Sequence, residues 1–354
     1  MPTLFSEFPT ATQQADWWQQ LQKELKGKLY DSLHWHIEES VVLAPYYNLH
    51  TSTRTSDIIQ RNEDWTIAEM ILVGDLPTAN RQILTALQGG ANAIVLQLTR
   101  TLMDTEWASL LNGVIVAYIQ IHIKTPTAAV ATTTLQYWQR QPTIVGSLQC
   151  PEQDLTWAAN NPHAQFRIFT TSADTTQTPS LQLAAQIAQA QSMLQLLIDK
   201  NIPSPNRCIQ FSVSVGKDYF VEIAKLRALR LLWANVLAIY NFDDRSVSMI
   251  AYLSPVALTQ DTYTNMISIT VQTMAAAIGG ADVIVSLPAD SFDNNLTSEF
   301  TRRVARNVQH LLQIESHVTK VIDPAAGSYA IEHLTDALAE KAWKQFQAQV
   351  AKKA

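Results

Sequence analysis

The sequence predicts an α/β protein in which short apolar strands alternate with helices along most of the chain. The first observation is the recurrence of β-branched runs, such as residues 93–98 (AIVLQL) and 282–287 (DVIVSL). The second is that amphipathic helical stretches, such as residues 262–278, separate these runs. Eight such strands over about 260 residues is the number found in a (β/α)8 TIM barrel. An open doubly wound sheet is the alternative, and the missing Gly-rich first turn favours closure.

The elements are predicted in order from apolar runs, caps and prolines. The eight strands are expected at residues 65–73, 93–98, 117–123, 143–148, 166–171, 208–215, 247–253 and 282–287. Helices are expected at residues 77–87, 105–111, 178–200, 219–237, 262–278 and 298–315, with a closing helix at 334–350. A further helix is expected to begin at Thr125-Pro126, because a threonine cap followed by proline is typical of a helix start. Residues 65–354 are therefore predicted to form the barrel domain and its C-terminal helix.

Residues 1–64 differ from this pattern and are predicted to form an N-terminal arm. A short helix is expected at residues 16–25, followed by an extended aromatic segment. Trp17 and Trp18 are adjacent, so both cannot face one helix stripe. We therefore expect the arm to lie over another surface, either its own barrel or a partner chain.

Composition excludes several classes of function. With 47% apolar and 16% charged residues the chain is globular, and a net charge of −6 argues against binding nucleic acid or an anionic membrane. No run reaches the roughly 18 apolar residues of a membrane span, and the N-terminus lacks the features of an export signal. We therefore expect a cytoplasmic protein. None of the 10 glycines forms a Gly-x-Gly pair, which removes the dinucleotide fingerprint and the P-loop.

Candidate chemistry is sparse at the strand ends, where TIM barrels place their active sites. Strand six is the exception, since Gln210, Ser212 and Ser214 alternate along it. Strand five ends in Thr171 and Ser172, while strands seven and eight supply almost no acid, base or metal ligand. His34 and His36 have a metal-compatible spacing but no partner ligand nearby, so aromatic packing is favoured. No metal site is predicted.

Four segments in the second half of the chain carry a family resemblance. They are residues 219–236 (YFVEIAKLRALRLLWANV), 258–277 (LTQDTYTNMISITVQTMAAA), 299–316 (EFTRRVARNVQHLLQIES) and 323–332 (DPAAGSYAIE). In sequence and order they resemble segments of the adenosylcobalamin-dependent acyl-CoA mutases, the methylmalonyl-CoA mutase family. The resemblance implies a TIM barrel that encloses the pantetheine of CoA, and an N-terminal extension that wraps a partner subunit.

The positions of the family's catalytic and polar residues are occupied differently here. The family's histidine after strand five falls near Ser172, and its Asn-x-His after strand six falls on Ser214 and Gly216. The polar run of strand seven falls near Met249, Ala251 and Tyr252, and that of strand eight on Val285 and Leu287. The Asp-x-His-x-x-Gly motif of the cobalamin-binding domain is absent from the sequence. We therefore expect no catalytic residue, no cobalamin-binding domain and a barrel interior filled with apolar side chains.

This pattern resembles the small, non-catalytic subunit of a heterodimeric methylmalonyl-CoA mutase, an isomerase. The resemblance implies a large catalytic partner that carries adenosylcobalamin, and contact with acyl-CoA through the complex. Residual substrate contacts are predicted at Arg54, Thr171, Gln210, Ser212 and Ser214. Two alternatives stay open: a catalytic barrel that borrows a separate cobalamin-binding chain, and a barrel enzyme repurposed through the strand-six hydroxyls or through Thr171 and Ser172.

Overall fold

The computed structural model describes residues 14–47, 64–141, 143–151, 166–293 and 297–351. Within them the strands are β1 (Trp35–Glu38), β2 (Val41–Leu43), β3 (Thr66–Val73), β4 (Ala93–Leu98), β5 (Gln120–Lys124), β6 (Val145–Gln149), β7 (Phe166–Arg167), β8 (Phe169–Thr171), β9 (Ile209–Val215), β10 (Met249–Leu253) and β11 (Val283–Ser286). The helices are α1 (Gln14–Leu25), α2 (Leu76–Gln88), α3 (Asp104–Leu110), α4 (Ala128–Trp138), α5 (Pro179–Asp199), α6 (Tyr219–Ile239), α7 (Thr262–Ile278), α8 (Glu299–His310) and α9 (Tyr329–Ala351).

The parallel sheet closes into a barrel through the segment that holds β7 and β8. Its strand order is β7-β6-β5-β4-β3-β11-β10-β9-β8, and all of the pairs are parallel. β7 pairs with β6 and β8 pairs with β9, with only Ile168 between the two segments. The Thr170 hydroxyl donates to the Leu148 carbonyl at 2.9 Å, which ties β8 to β6 as well. The predicted eight-stranded TIM barrel is confirmed, with its fifth strand broken at Ile168.

Several helix boundaries differ from the predictions for local reasons. Thr125 does not cap α4, because its N–H and hydroxyl both donate to the Gln149 carbonyl and so extend β5; Thr127 is the cap instead. The predicted helix 298–315 is α8 followed by a turn of π-helix at Leu311–Glu315. α9 begins five residues before the predicted start, where Glu332 accepts hydrogen bonds from the Gly327 N–H and from Arg227.

The described part of the arm packs on the chain's own barrel helices. β1 and β2 form an antiparallel hairpin. Glu38 in this hairpin accepts hydrogen bonds from the N–H (3.3 Å) and the hydroxyl (2.8 Å) of Ser180 at the start of α5. The Tyr47 ring packs against that of His333 in α9 in a tilted arrangement, with ring centroids 4.9 Å apart. Trp17 and Trp18 both contact Tyr30, so the aromatic residues of the arm form a cluster of their own.

Candidate functional site

One half of the barrel lumen is apolar. Side chains alternate between the lumen and the helices along each strand, and register partners in a parallel sheet share a face. The walls formed by β3, β4, β10 and β11 bury a compact set in the lumen: Ala68, Ala93, Val95, Ile250, Val283 and Val285. This set is separate from the larger core between the sheet and the helices. On this side the expectation of an apolar interior holds.

The opposite half of the lumen is polar, so the expectation of a uniformly apolar interior was wrong. Alternate positions of β5 to β9 carry Gln120, His122, Ser147, Arg167 and Gln210 on the luminal face. Buried polar groups are tolerated where they bond to one another. The amide of Gln120 donates to the Thr66 hydroxyl at 3.1 Å, and that of Gln210 donates to the Ser248 hydroxyl at the same distance.

His122 is the luminal histidine of the described chain, and its surroundings keep it neutral. Its Nδ1 lies 2.7 Å from the Ser147 hydroxyl, while Nε2 has no hydrogen-bond partner among the described residues. Burial, with a smaller contribution from the charge of Arg167, lowers the pKa of His122 to about 3. A histidine with this pKa is neutral near pH 7, so it supplies no imidazolium as a general acid, and it is a weak base.

A cation–π contact crosses the lumen between β5 and β10. The Lys124 Nζ lies 3.6 Å from the centroid of the Tyr252 ring. In the order of the sheet these two strands lie on opposite walls of the barrel, with β4, β3 and β11 between them on one side. The two side chains therefore meet over the axis, and together they obstruct the path along the lumen.

The structure brings together some of the predicted substrate-contacting residues and separates others. Gln210, Ser212 and Ser214 share the luminal face of β9. Thr171 is fully buried and pairs with Phe211, whose side chain packs on Trp233 of α6, so Thr171 faces the helices. Arg54 lies outside the described residues.

The positions that match the family's catalytic and polar residues are divided between the lumen and the helix side of the sheet. The backbone of Ser172 is held by the Gln189 side chain of α5, with hydrogen bonds of 3.1 and 2.8 Å. Met249 and Ala251 belong to the core on the helix side, whereas Tyr252 and Val285 face the lumen. No described residue at these positions supplies an imidazole or a carboxylate.

Sequence reasoning missed the polar luminal residues of β5. The run from residue 120 to 124 reads QIHIK, in which Gln120, His122 and Lys124 alternate with two isoleucines. This period of two is the signal that places all three on one face. Their inward direction depends on how the sheet closes, which the strand alone does not reveal.

A polar pocket of about 260 Å³ lies beside the carboxyl ends of β9 and β10. Two of its lining residues form a buried ion pair, with Lys225 Nζ 2.6 Å from Glu222 Oε2. The same ammonium donates to the Ser214 carbonyl at 2.8 Å. The Lys225 ammonium therefore holds the start of α6 against β9, and Glu222 balances its charge.

The segments that carry the family resemblance bond to one another and to the sheet. Arg227 of α6 pairs with Asp323 and lies 2.7 Å from Glu332 of α9. Arg230 contacts Asp282 at 3.1 Å, next to the start of β11. Arg302 and Arg306 of α8 both pair with Glu69 of β3. The shared motifs therefore join helices and strands of the scaffold, and they lie outside the lumen.

A family comparison agrees with these motifs. The sequence profile described as methylmalonyl-CoA mutase matches residues 169–353, which is more than half of the chain. The chain belongs to the methylmalonyl-CoA mutase family.

Relatives within the family differ in length from this chain. A methylmalonyl-CoA mutase small subunit from Porphyromonas gingivalis is 29% identical over 395 aligned positions, which cover 97% of this chain and 63% of that protein. A probable methylmalonyl-CoA mutase small subunit from Mycobacterium bovis is 38% identical over 180 positions, covering 48% of this chain and 29% of its own length. This chain thus spans less than two thirds of the length of these relatives.

Matches among solved structures have both low sequence identity and low TM-scores. A dihydropteroate synthase from Yersinia pestis matches with 13% identity and a TM-score of 0.41, over 71% of this chain and 93% of its own.

Among the described residues, no helix is long and apolar enough to cross a membrane. Within the same ranges, no group of three His, Cys, Asp or Glu side chains is arranged to hold a metal ion.

Proposed function

We propose that this chain is the small, non-catalytic subunit of a heterodimeric methylmalonyl-CoA mutase. A large partner subunit carries adenosylcobalamin and interconverts methylmalonyl-CoA and succinyl-CoA. This chain contributes a rigid barrel of the same family and a contact surface. We propose a cytoplasmic location for the complex, where thiols such as those of Cys150 and Cys208 stay reduced.

The observation that carries the proposal is the contact of Lys124 with Tyr252 across the lumen. The family resemblance implies that a catalytic barrel encloses the pantetheine of CoA along its axis. Here the Lys124 ammonium and the Tyr252 ring lie 3.6 Å apart over that axis. A thioester chain threaded through the barrel would have to displace both side chains and separate the ammonium from the ring.

The lack of suitable acids and bases supports the same proposal. The position after the fifth barrel strand holds Ser172, whose backbone is fastened to α5. The luminal His122 is buried, and its pKa of about 3 leaves it neutral. Mutase chemistry on a bound acyl group would find no imidazolium or carboxyl group as a general acid in the described lumen, and the Lys124 ammonium there is held over the Tyr252 ring.

The described residues do not fit cobalamin. A cobalamin on this barrel would need an open face above the strand ends and an imidazole to coordinate cobalt. In the described lumen the imidazole present is that of His122, which is buried at the middle of β5 and does not reach the face above the strand ends. We therefore assign adenosylcobalamin to the partner subunit.

The arm is proposed to contact the partner subunit while it stays anchored to its own barrel. Glu38 and Lys341 fix the hairpin to α5 and α9, since Lys341 Nζ donates to the Glu39 carbonyl and lies 3.8 Å from Glu38. Leu29 and Trp35 in the arm remain exposed. Exposed apolar side chains on an anchored segment are suited to an interface.

Coexpression with a catalytic mutase chain tests the assembly. We expect this chain and the catalytic chain to elute together from size-exclusion chromatography at the mass of a heterodimer. Mutase activity is expected in the mixture and not in this chain alone. Replacing His122 by Asn is expected to leave the activity of the complex unchanged. Mutase turnover by this chain supplied with cobalamin alone would overturn the proposal.

A further inference from the structure

Lys124 occupies the position in a TIM barrel where reactive side chains are found. It is the last residue of β5, at the carboxyl end of the strand, and it points into the mouth of the lumen. Active sites of this fold lie at that end of the barrel. Its side chain is half-buried, so solvent still reaches it. Gln149, its register neighbour on β6, has a buried Oε1 with no hydrogen-bond partner among the described residues.

The groups that face Lys124 leave its amine without a counter-ion. Lys225 is paired with Glu222 and Lys344 with Glu340, but no described carboxylate lies within ion-pair distance of Lys124. The other titratable groups on the luminal face are Tyr252, whose pKa is raised by burial, the neutral His122 and the cationic Arg167.

Burial lowers the pKa of Lys124 to about 8, although the Tyr252 ring favours the ammonium form. About a tenth of the amine is then uncharged at pH 7, against well under a thousandth for an exposed lysine.

We propose that Lys124 is a covalent acceptor for small aldehydes, which enter through the barrel mouth and form an imine with its Nζ. The nitrogen lone pair attacks the carbonyl carbon, and the carbonyl oxygen takes up a proton to give a carbinolamine. Loss of the hydroxyl as water, with loss of the remaining amine proton to solvent, leaves a neutral C=N bond. Amine and aldehyde thus yield imine and water without an oxidant or reductant.

The surroundings suit this chemistry. Gln149 Oε1 is a free acceptor beside Lys124 for the carbinolamine hydroxyl, and the hydroxyl of Ser214 lies on β9 in register with Tyr252. The apolar wall of Ala68 and Val285 limits water in the lumen, which favours the dehydrated product. This inference goes beyond the proposed function and does not depend on it, since a non-catalytic subunit can carry such a site.

Reductive trapping on the full chain tests the inference. The folded protein is incubated with acetaldehyde and cyanoborohydride at pH 7, and peptide mapping by mass spectrometry gives a rate for each lysine. We expect Lys124 to be alkylated at least about tenfold faster than the exposed Lys217 and Lys320, because its amine fraction is larger. The advantage is expected to disappear in the urea-unfolded chain.

Two variants control the interpretation. Lys124→Arg keeps a cation over the ring and is expected to abolish the fast-reacting site without changing the other rates. Tyr252→Phe keeps the aromatic face and is expected to retain the fast reaction. The inference is overturned if Lys124 in the folded wild-type chain reacts no faster than Lys217.

Discussion

The Lys124 ammonium and the Tyr252 ring meet 3.6 Å apart after reaching in from opposite walls of the barrel. This contact links the scaffold to the proposed loss of catalysis, because it occupies the axis along which a catalytic relative would hold its substrate. Tyr252 belongs to the apolar wall of the lumen and Lys124 to the polar wall, so the contact joins the two walls.

A double-mutant cycle measures the strength of this contact. Lys124→Met and Tyr252→Leu each remove one partner and keep much of the side-chain volume. We expect a coupling free energy of about 0.5–2 kcal/mol, the range of a partly desolvated cation–π pair. Urea denaturation of the four proteins supplies the free energies of unfolding. Additive effects of the two changes would mean that the contact contributes nothing to stability.

The pair of Arg227 and Glu332 is expected to matter far more than a surface pair. Both side chains are nearly buried, and Arg227 keeps Asp323 as its partner when the charge of Glu332 is lost. Glu332→Gln is therefore expected to lower the free energy of unfolding by about 1.5–3 kcal/mol, the range of a hydrogen bond to a charged group. The control is Glu340→Gln, which breaks the exposed pair with Lys344 and is expected to leave the free energy of unfolding almost unchanged. Equal effects in the two variants would contradict the packing described for α6 and α9.

His122 makes the stability of the fold fall as the solution becomes acidic. Its folded pKa of about 3 lies below the ordinary value of 6.5, so between these values the unfolded chain binds a proton that the folded chain does not. The associated stability is complete above pH 6.5 and is lost as the pH falls toward 3. The slope from this group is about 1.4 kcal/mol per pH unit.

The variant His122→Asn separates this contribution from those of other groups. Between pH 6 and pH 4 its free energy of unfolding is expected to vary less steeply with pH than that of the wild type. The difference in slope corresponds to the one proton that the unfolded wild-type chain binds at His122. Denaturation curves collected across that range give both slopes. Parallel slopes would show that His122 takes up its proton in the folded lumen.

Glu38 is expected to hold the arm on the barrel. Its carboxylate accepts two hydrogen bonds from Ser180, which is fully buried. Glu38→Ala is expected to speed amide hydrogen exchange throughout β1 and β2 while the exchange of β9 and β10 stays unchanged. Glu39→Ala is the matched control, since Lys341 contacts the Glu39 backbone and its exposed side chain is not needed for that contact. Unchanged exchange in Glu38→Ala would show that other contacts hold the hairpin.

The barrel was predictable from sequence because its signals are local. The strand and helix periods, the β-branched runs and the start of α7 at Thr262 all depend on near neighbours, and the predicted span of α7 agrees with the structure. The contacts between side chains that face the lumen were not predictable in the same way. Lys124 and Tyr252 are far apart in sequence and meet only because the sheet closes.

Two further differences have the same physical origin. Thr171 was predicted to contact substrate, but the break at Ile168 changes the alternation of the fifth strand and turns Thr171 toward the helices. The polar lumen wall was missed because its members come together only through pairing between strands, as His122 does with Ser147. Pairing between strands is a property of register, which a single strand does not encode.

The number of cobalamins bound per heterodimer tests the central claim most directly. Native mass spectrometry of this chain with a catalytic mutase chain and excess cobalamin counts the bound cofactor. We expect one cobalamin per heterodimer and none on this chain alone, because the lumen obstructed by Lys124 and Tyr252 offers no site for it. Two cobalamins per heterodimer, or cobalamin on this chain by itself, would contradict the assignment of a non-catalytic subunit.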